Sequence, residues 1–254
     1  MTREPNNYLI DLASDLVSET LIIYIAIDNS GYNTSSIPTN LRIIKYDEET
    51  CKSEGYVCSL LKCTLRNVDR PCSWDKALYH FCVKDLIYDN VYFVEDDVFI
   101  SDRNIFSNID KKYESADLIC SFNVSEQSDP RWCNWKEFNN LEKPWYHSMV
   151  CACRLSNRLL SKIAEYAKAN KRLLFHEFFF NTIANTNNLV IKTPPEFENI
   201  HWCADWNISN IQKGKLYHPL KSPILHDLYR RYLDNNEAVK SQRCLICSNC
   251  LKQD

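Results

Sequence analysis

Three adjacent acids follow an apolar run near the middle of the chain. The run from Val91 to Val94 ends in Glu95, Asp96 and Asp97, and a second apolar run begins at Val98. Carboxylates are costly to bury unless a cation neutralises them, and their oxygens suit Mg²⁺ or Mn²⁺. Because alternate residues of an extended segment point to the same side, Glu95 and Asp97 are predicted to share a metal while Asp96 faces elsewhere. A solvated turn of acids after an edge strand is the alternative interpretation.

The composition restricts the functions that this acidic segment can have. The chain has 254 residues, of which 45% are hydrophobic and 25% charged, as in ordinary globular proteins. Only three glycines are present, which excludes a Gly-rich phosphate loop, so a bound nucleotide would need a metal at its phosphates. The net charge of -3 gives no electrostatic reason to expect nucleic-acid binding.

The two ends of the chain differ in character. The polar segment at residues 1–7 is not a signal peptide, and no apolar run has the length of a membrane span, so we expect a cytoplasmic protein with reduced thiols. Residues 1–233 are predicted to form one domain and residues 234–254 a cysteine-rich tail. Cys244, Cys247 and Cys250 have zinc-ligand spacing but no adjacent fourth ligand, so the tail is either a zinc site or only thiol-rich.

Apolar periodicity places the acidic segment in a layered fold. Strands are predicted at 21–27, 41–46, 117–124 and 148–153, and helices are predicted at 73 to about 86, from 156, and at 175–184, with Ser73 and Ser156 as caps. Alternating strands and helices indicate an α/β fold with a mainly parallel sheet. Sites in such sheets form at the carboxyl ends of strands, where Asp28 and Asp47 also lie.

Several motifs, in this order, carry a resemblance to a known family. They are Glu95-Asp96-Asp97, the stretch Arg154-Leu-Ser-Asn-Arg-Leu-Leu, His176-Glu177-Phe-Phe and Tyr217-His218-Pro219-Leu-Lys221. Over roughly residues 20–225 the chain resembles nucleotide-sugar-dependent glycosyltransferases of the GT-A fold, and among them the small enzymes with which large DNA viruses, such as chlorella viruses, glycosylate their capsids. The resemblance implies a single GT-A-like (Rossmann-like) domain, with a mixed, mainly parallel sheet flanked by helices, and for a viral protein it implies the host cytoplasm.

The resemblance assigns a metal site. The family's acid motif binds Mn²⁺ or Mg²⁺, which bridges the two phosphates of the donor, here expected to be a UDP- or GDP-linked sugar. Glu95 stands where the family usually has Asp, so Asp97 is the strongest candidate for a direct ligand. His218 matches the C-terminal histidine that completes the metal site in many members, and a structural histidine before a proline is the alternative.

The resemblance also assigns donor-binding and catalytic residues. Glu177 matches the general base of inverting members, with Asp205 as the rival base and a helix-capping or ion-paired acid as the alternative role for Glu177. Position in the inferred fold makes further residues candidates for binding the donor, with a solvated side chain as the alternative for Lys221: Asp28, Asp47, Lys76, Asp96 and Lys221. Aromatic side chains can stack on an acceptor sugar, although most are expected to be core: Trp132, Trp135, Trp145, Trp202 and Trp206.

We therefore expect a metal-dependent glycosyltransferase that moves a sugar from a nucleotide-sugar donor to a hydroxyl of a glycan or glycoprotein, with inversion. The partners expected are that donor and that acceptor, with no nucleic acid and no membrane span. Two alternatives stay open, namely a nucleotidyltransferase on a related fold and a zinc-stabilised interaction module that uses the cysteine-rich tail.

Overall fold

The computed structural model describes residues 1–58, 70–85, 87–137 and 141–235, which form a mixed α/β fold. The helices are α1 (Asn7–Leu16), α2 (Glu48–Ser53), α3 (Ser73–Tyr79), α4 (Ile105–Lys112), α5 (Asn157–Asn170), α6 (His176–Thr186) and α7 (223–235). The strands are β1 (Tyr24–Ala26), β2 (Arg42–Ile44), β3 (Asn90–Val94), β4 (Phe99–Ile100), β5 (Leu118–Ile119), β6 (Val124–Ser125), β7 (Tyr146–His147), β8 (Ala152–Ser156), β9 (Ile191–Lys192), β10 (Asn199–Ile200) and β11 (Leu216–His218). Within the described ranges, every helix is too short or too polar to cross a membrane.

A four-stranded sheet in the order β3-β8-β5-β9 forms the centre of the fold. Strand β8 runs antiparallel to both β3 and β5, with Val94 opposite Ala152 at the edge that carries the acidic segment. The connection from β5 to β8 contains the β6–β7 pair and, in its described part, no crossover helix, which suits an antiparallel return. Glu95, which follows β3, therefore lies beside Cys151, which precedes β8.

The remaining strands form smaller sheets of mixed direction. Three strand pairings are parallel, β1–β2, β5–β9 and β10–β11, and four are antiparallel, β3–β8, β5–β8, β4–β11 and β6–β7. The mixed α/β class expected from the sequence is confirmed, but a mainly parallel sheet is not. The spacing of apolar residues identifies strands. The direction of a strand depends on the path of the connection that precedes it, and the spacing of apolar residues gives no information about that path.

Both faces of the central sheet are covered by helices. Because successive strand residues point to opposite faces, Phe93 and Leu155 pack with α3, α5 and α6, while Tyr92 and Ala152 pack on the side of α1 and α4. Helix α5 shows how its sequence specifies this packing. Its N-cap Ser156 accepts a hydrogen bond from the Leu159 backbone nitrogen at 3.2 Å, and its apolar stripe is buried.

Several predicted element boundaries were wrong. The cap of α3 is Cys72 rather than Ser73, because the Asp75 carboxylate accepts a hydrogen bond from the Cys72 backbone nitrogen at 2.9 Å. The strand predicted at 148–153 begins at Ala152. Helices α1 and α4 were not predicted, although both have apolar residues at helical spacing.

The Arg154 side chain is fully buried on the α4 side of the sheet. Its guanidinium donates to Asp110 at 2.6 Å and to the backbone carbonyls of Tyr113 and Ala116 at 2.7 and 2.8 Å. This connects the middle of β8 to the end of α4. Within the sheet, the contact helps to fix the strand that places Cys151 beside Glu95.

We predict that Arg154→Leu lowers the free energy of unfolding by about 3 kcal/mol, because it leaves buried carbonyls and a half-exposed carboxylate without their partner. For a chain of this size the melting temperature should fall by roughly 6–12 °C. Thermal unfolding followed by circular dichroism measures the change. The control is Arg231→Ala, which breaks an exposed ion pair with Asp227 and should change the free energy of unfolding by at most about 1 kcal/mol. Equal effects of the two variants would contradict this assignment.

Candidate functional site

The acidic segment forms a turn rather than the extended segment that the sequence predicted. The Val98 backbone nitrogen donates to the Glu95 carbonyl at 3.2 Å, which closes the turn. Two backbone hydrogen bonds fix its flanks, from the Glu95 nitrogen to the Cys151 carbonyl at 2.8 Å and from the Leu220 nitrogen to the Asp97 carbonyl at 2.7 Å. The turn therefore joins β3, the start of β8 and the segment after β11.

The structure brings together the three residues for which the sequence predicted a metal role. The His218 Nε2 atom lies 3.2 Å from Asp97 Oδ1 and 3.6 Å from Glu95 Oε2. The other ring nitrogen, Nδ1, lies 2.6 Å from the backbone carbonyl of His201, so a proton on Nδ1 is donated there. In a neutral ring this leaves the Nε2 lone pair directed towards the two carboxylates, as in histidines that bind metals.

Two observations fit these residues to a divalent cation. The contact between His218 and Asp97 lacks hydrogen-bond alignment, so that Asp97 Oδ1 is buried without a hydrogen-bond donor within the described residues. The ligand set of two carboxylates and one imidazole is also one that divalent metals accept. Because His218 Nε2 approaches oxygens of both Glu95 and Asp97, these three side chains are the candidates for holding a cation.

Charges couple these residues in the metal-free protein. Burial alone would raise the pKa of Asp97, but the contact with His218 outweighs burial and lowers the pKa below its ordinary value. Burial would likewise lower the pKa of His218, but Asp97 outweighs burial and raises that pKa. When His218 is protonated, its ring therefore supplies a positive charge close to both carboxylates.

Trp74 has a positioning role that the sequence did not reveal. It lies in the buried stripe of α3, as predicted, but its indole Nε1 donates to Glu95 Oε1 at 2.8 Å. Its ring is stacked between Phe93, at a centroid distance of 5.6 Å, and His176, at 4.6 Å. Because Oε1 accepts from Trp74, Oε2 is the Glu95 oxygen that remains directed towards His218.

Glu177 begins the first turn of α6 and is buried, with 8% of its surface exposed. Burial, followed by the negative charge of Glu95, raises the pKa of Glu177 to about 8, and the charge of His218 opposes this shift. The helix start is held in place by the Ser148 backbone nitrogen, which donates to the Glu177 carbonyl at 2.8 Å. Glu177 is thus electrostatically part of the same site and has a pKa suited to proton transfer near neutral pH.

Cys151 is a site residue that sequence reasoning missed. Its Sγ atom, a Glu95 oxygen and a His218 ring nitrogen all lie within 4.8 Å of one another. Burial and then the neighbouring carboxylates of Glu95, Glu177 and Asp97 raise the pKa of this thiol. No local sequence signal could have identified it, because only the pairing of β8 with β3 places it beside Glu95.

A cavity of about 250 Å³ adjoins the turn on the side of Asp97. Asp96, Asp97, Lys221 and the buried His226 contribute to its wall, and the charge of Lys221 lowers the pKa of Asp97. Asp96 itself is exposed and accepts a hydrogen bond from the Thr2 hydroxyl, so it faces away from His218. The predicted donor-binding residues Asp96 and Lys221 therefore line the same cavity as Asp97, one of the candidate metal ligands.

Other predicted donor-binding residues make structural contacts. Lys76 is fully buried, and its ammonium donates to the Asp28 backbone carbonyl at the end of β1. Asp28 Oδ1 is buried without a hydrogen-bond partner in the part of the chain that is described. Asp47 is exposed and caps α2 by accepting from the Thr50 nitrogen at 2.8 Å. Each of these contacts has a structural explanation without a ligand.

Asp205, the rival base, is exposed on the segment between β10 and β11. On the same segment Trp202 is 73% exposed, and Trp206 stacks on His201 at 5.7 Å. The other tryptophans for which an acceptor role was considered belong to an aromatic cluster around His147: Trp132, Trp135 and Trp145. Trp135 and Trp145 are buried core, as expected.

The cysteine-rich tail, with Cys244, Cys247 and Cys250, lies outside the described residues. The cysteines within the described ranges are free thiols. In comparisons with known proteins, no family model matches the chain, and no curated protein matches it. The functional argument therefore rests on the residues and geometry of the site.

We predict that Glu177→Gln stabilises the metal-free protein increasingly as the pH rises. Glutamate has an ordinary pKa of 4.5 and Glu177 one of about 8, so between these values the folded protein holds a proton that the unfolded chain has released. The free energy of unfolding of the wild type therefore falls over this interval, and the variant avoids that loss. At pH 8 the gain should be about 4 kcal/mol, or roughly 8–16 °C in melting temperature.

The measurement is a series of thermal unfolding curves in EDTA from pH 5 to pH 8.5. Glu165→Gln is the control, because Glu165 is exposed on α5 and its substitution should give a small difference that does not depend on pH. A Glu177→Gln difference that stays constant across the series would contradict the raised pKa.

Proposed function

We propose that the protein is a metal-dependent glycosyltransferase that uses a nucleotide-sugar donor. The observation that carries the proposal is the approach of His218 to the acidic turn, together with the buried Glu177, whose pKa is influenced by the charges of Glu95 and His218. His218 reaches Asp97 at 3.2 Å although the two residues are far apart in sequence. Carboxylates and an imidazole for a cation, next to an acid with a raised pKa, supply the two functions that glycosyl transfer needs.

In this proposal Glu95, Asp97 and His218 hold Mn²⁺ or Mg²⁺. The bound cation would neutralise the charge that develops on the β-phosphate as the bond to the sugar breaks. Lys221, at the cavity beside Asp97, would contact the phosphates as a point charge. The His201 carbonyl holds the His218 ring, and the Trp74 indole holds Glu95, so both ligands are oriented before the donor arrives.

Glu177 is the proposed general base. Its carboxylate takes the proton of an acceptor hydroxyl while that oxygen attacks the anomeric carbon of the donor sugar and the nucleoside diphosphate leaves. One direct displacement inverts the anomeric configuration. A raised pKa suits this role, because a base is most effective when its pKa is near the working pH. The acceptor is a sugar hydroxyl on a glycan or glycoprotein, and the exposed Trp202 offers an aromatic face near His201 for stacking.

The donor site is tested by thermal shift with nucleoside diphosphates and nucleotide sugars, with and without Mn²⁺. We expect one nucleotide to raise the melting temperature only in the presence of the metal. A ligand at 100 times its dissociation constant stabilises by about 2.7 kcal/mol, or roughly 5–11 °C. Asp97→Asn should abolish the shift, whereas Asp11→Asn, on the exposed side of α1, should keep it. A full shift in Asp97→Asn, or no shift with any donor, would contradict the proposed site.

The base is tested by release of nucleoside diphosphate from the donor that gives the thermal shift, with water or simple glycosides as acceptors. Glu177→Gln should lower kcat by about 10²–10⁴-fold, the usual contribution of a general base, and should keep the metal-dependent thermal shift. Asp205→Asn, at an exposed acid, should change kcat little. The reverse pattern would identify Asp205 as the base instead.

A further inference from the structure

We propose that Cys151 is a direct metal ligand and that, with Glu95 and His218, it makes the centre selective for a thiophilic divalent cation, Zn²⁺ in particular. The inference rests on the metal centre of the proposed function and changes its expected metal. The acid motif by itself favours hard Mn²⁺ or Mg²⁺, whereas a set of thiolate, imidazole and carboxylate favours Zn²⁺ or Co²⁺.

The spacing of the three donor atoms is close to that of a metal site. They lie within 4.8 Å of one another, and the pair between His218 Nε2 and Glu95 Oε2 is already at 3.6 Å. Zinc bonds of about 2.0–2.3 Å place tetrahedral ligands about 3.3–3.8 Å apart. A side-chain movement of about 1 Å would therefore close the set around one ion. Asp97, whose Oδ1 lies 3.2 Å from His218 Nε2, would be the fourth ligand, and a donor phosphate oxygen or water would take a fifth position.

The backbone holds Cys151 at this position. The Glu95 nitrogen donates to the Cys151 carbonyl at 2.8 Å, immediately beyond the paired residues Val94 and Ala152. The Cys151 side chain is 9% exposed, and its Sγ lies 3.6 Å from the Met149 sulfur. A thiol in this place is surrounded by carboxylates, so a cation is the partner that its environment favours.

Glu95 and His218, the other two proposed ligands, each make a contact with a neighbouring group of the kind that orients metal-binding side chains. Trp74 donates to one Glu95 oxygen, and the His201 carbonyl lies against His218 Nδ1. These contacts leave Glu95 Oε2 and His218 Nε2 directed to the point that Cys151 Sγ approaches. On coordination the thiol proton passes to solvent, and the thiolate forms the third bond to the metal.

The test is titration of the full chain with Co²⁺, followed by absorption spectroscopy. The reference chain, called wild type below, and every variant carry Cys244→Ser, Cys247→Ser and Cys250→Ser, so that the tail thiols, which have zinc-ligand spacing, contribute neither a band nor affinity. Cobalt takes the place of zinc, and coordination by a thiolate gives a near-ultraviolet charge-transfer band, whereas coordination by oxygen and nitrogen alone gives only the visible d–d bands. We expect both kinds of band in the wild type and loss of the charge-transfer band in Cys151→Ser. Cys133→Ser, at an exposed thiol, should keep it.

Competition with a chromogenic chelator measures the affinities. Cys151→Ser should weaken Zn²⁺ binding by at least about 10–100-fold, which is the loss that even an outer-shell partner causes. Mn²⁺ binding should change little, because Mn²⁺ prefers oxygen ligands. Cys151→Ala, which keeps the site apolar, should give the same spectra and affinities as Cys151→Ser, and its melting temperature controls for folding.

The outcomes separate this inference from the proposed function. Cobalt d–d bands without a charge-transfer band, or equal zinc affinities of wild type and Cys151→Ser, would overturn the role of Cys151 and leave the metal-dependent transferase standing. No binding of Co²⁺, Zn²⁺ or Mn²⁺ would overturn both.

Discussion

Glu95 and Asp97 both approach His218, and the negative charge of Glu95 also raises the pKa of the buried Glu177. The repulsion among these carboxylates has to be offset by positive charge. Part of the offset comes from His218 when it is protonated, because its Nε2 lies within 3.6 Å of oxygens of both Glu95 and Asp97, and the charge of Lys221 adds to it at Asp97. One imidazolium is not enough for all of them, and the pKa of Glu177 remains raised to about 8. A divalent cation would supply the missing charge, so this imbalance supports the metal site that we propose.

The fold brings these side chains together because the ends of several strands and the start of one helix meet at one edge of the central sheet. The turn after β3 carries Glu95 and Asp97, and the residue before β8 is Cys151. Strand β11 ends in His218, and Glu177 is the second residue of α6. Two of these positions depend on antiparallel pairing, because β8 starts where β3 ends and β11 pairs with β4, just beyond the acidic turn. Trp74 and the His201 carbonyl then fix individual side chains. The site is thus built from rigid elements that are distant in sequence.

Local patterns were sufficient to predict part of this structure. The apolar runs gave β1, β2 and β3, Ser156 was identified as the cap of α5, and the helix at 175–184 corresponds to α6. The predictions that failed concern features that depend on tertiary contacts. The acidic turn was predicted to be extended, because the local sequence contains no sign of the hydrogen bond between Leu220 and Asp97. The direction of the strands depends on the path of the connections between them, and the apolar periodicity gives no information about that path. The proximity of Glu95, Asp97 and His218 was expected from a family resemblance, whereas Cys151 and the contact of Trp74 with Glu95 came only from the packed fold.

The central claim is that this edge of the fold binds a divalent cation and a nucleoside diphosphate together. The most direct test is a titration of the protein with Mn²⁺ followed by electron paramagnetic resonance, since the six-line signal of free Mn²⁺ is lost when the ion binds. We predict loss of the signal on addition of protein, a larger loss when the nucleoside diphosphate of the donor is added, and recovery of the free signal with Asp97→Asn. A free-ion signal that protein and nucleotide leave unchanged would contradict the claim.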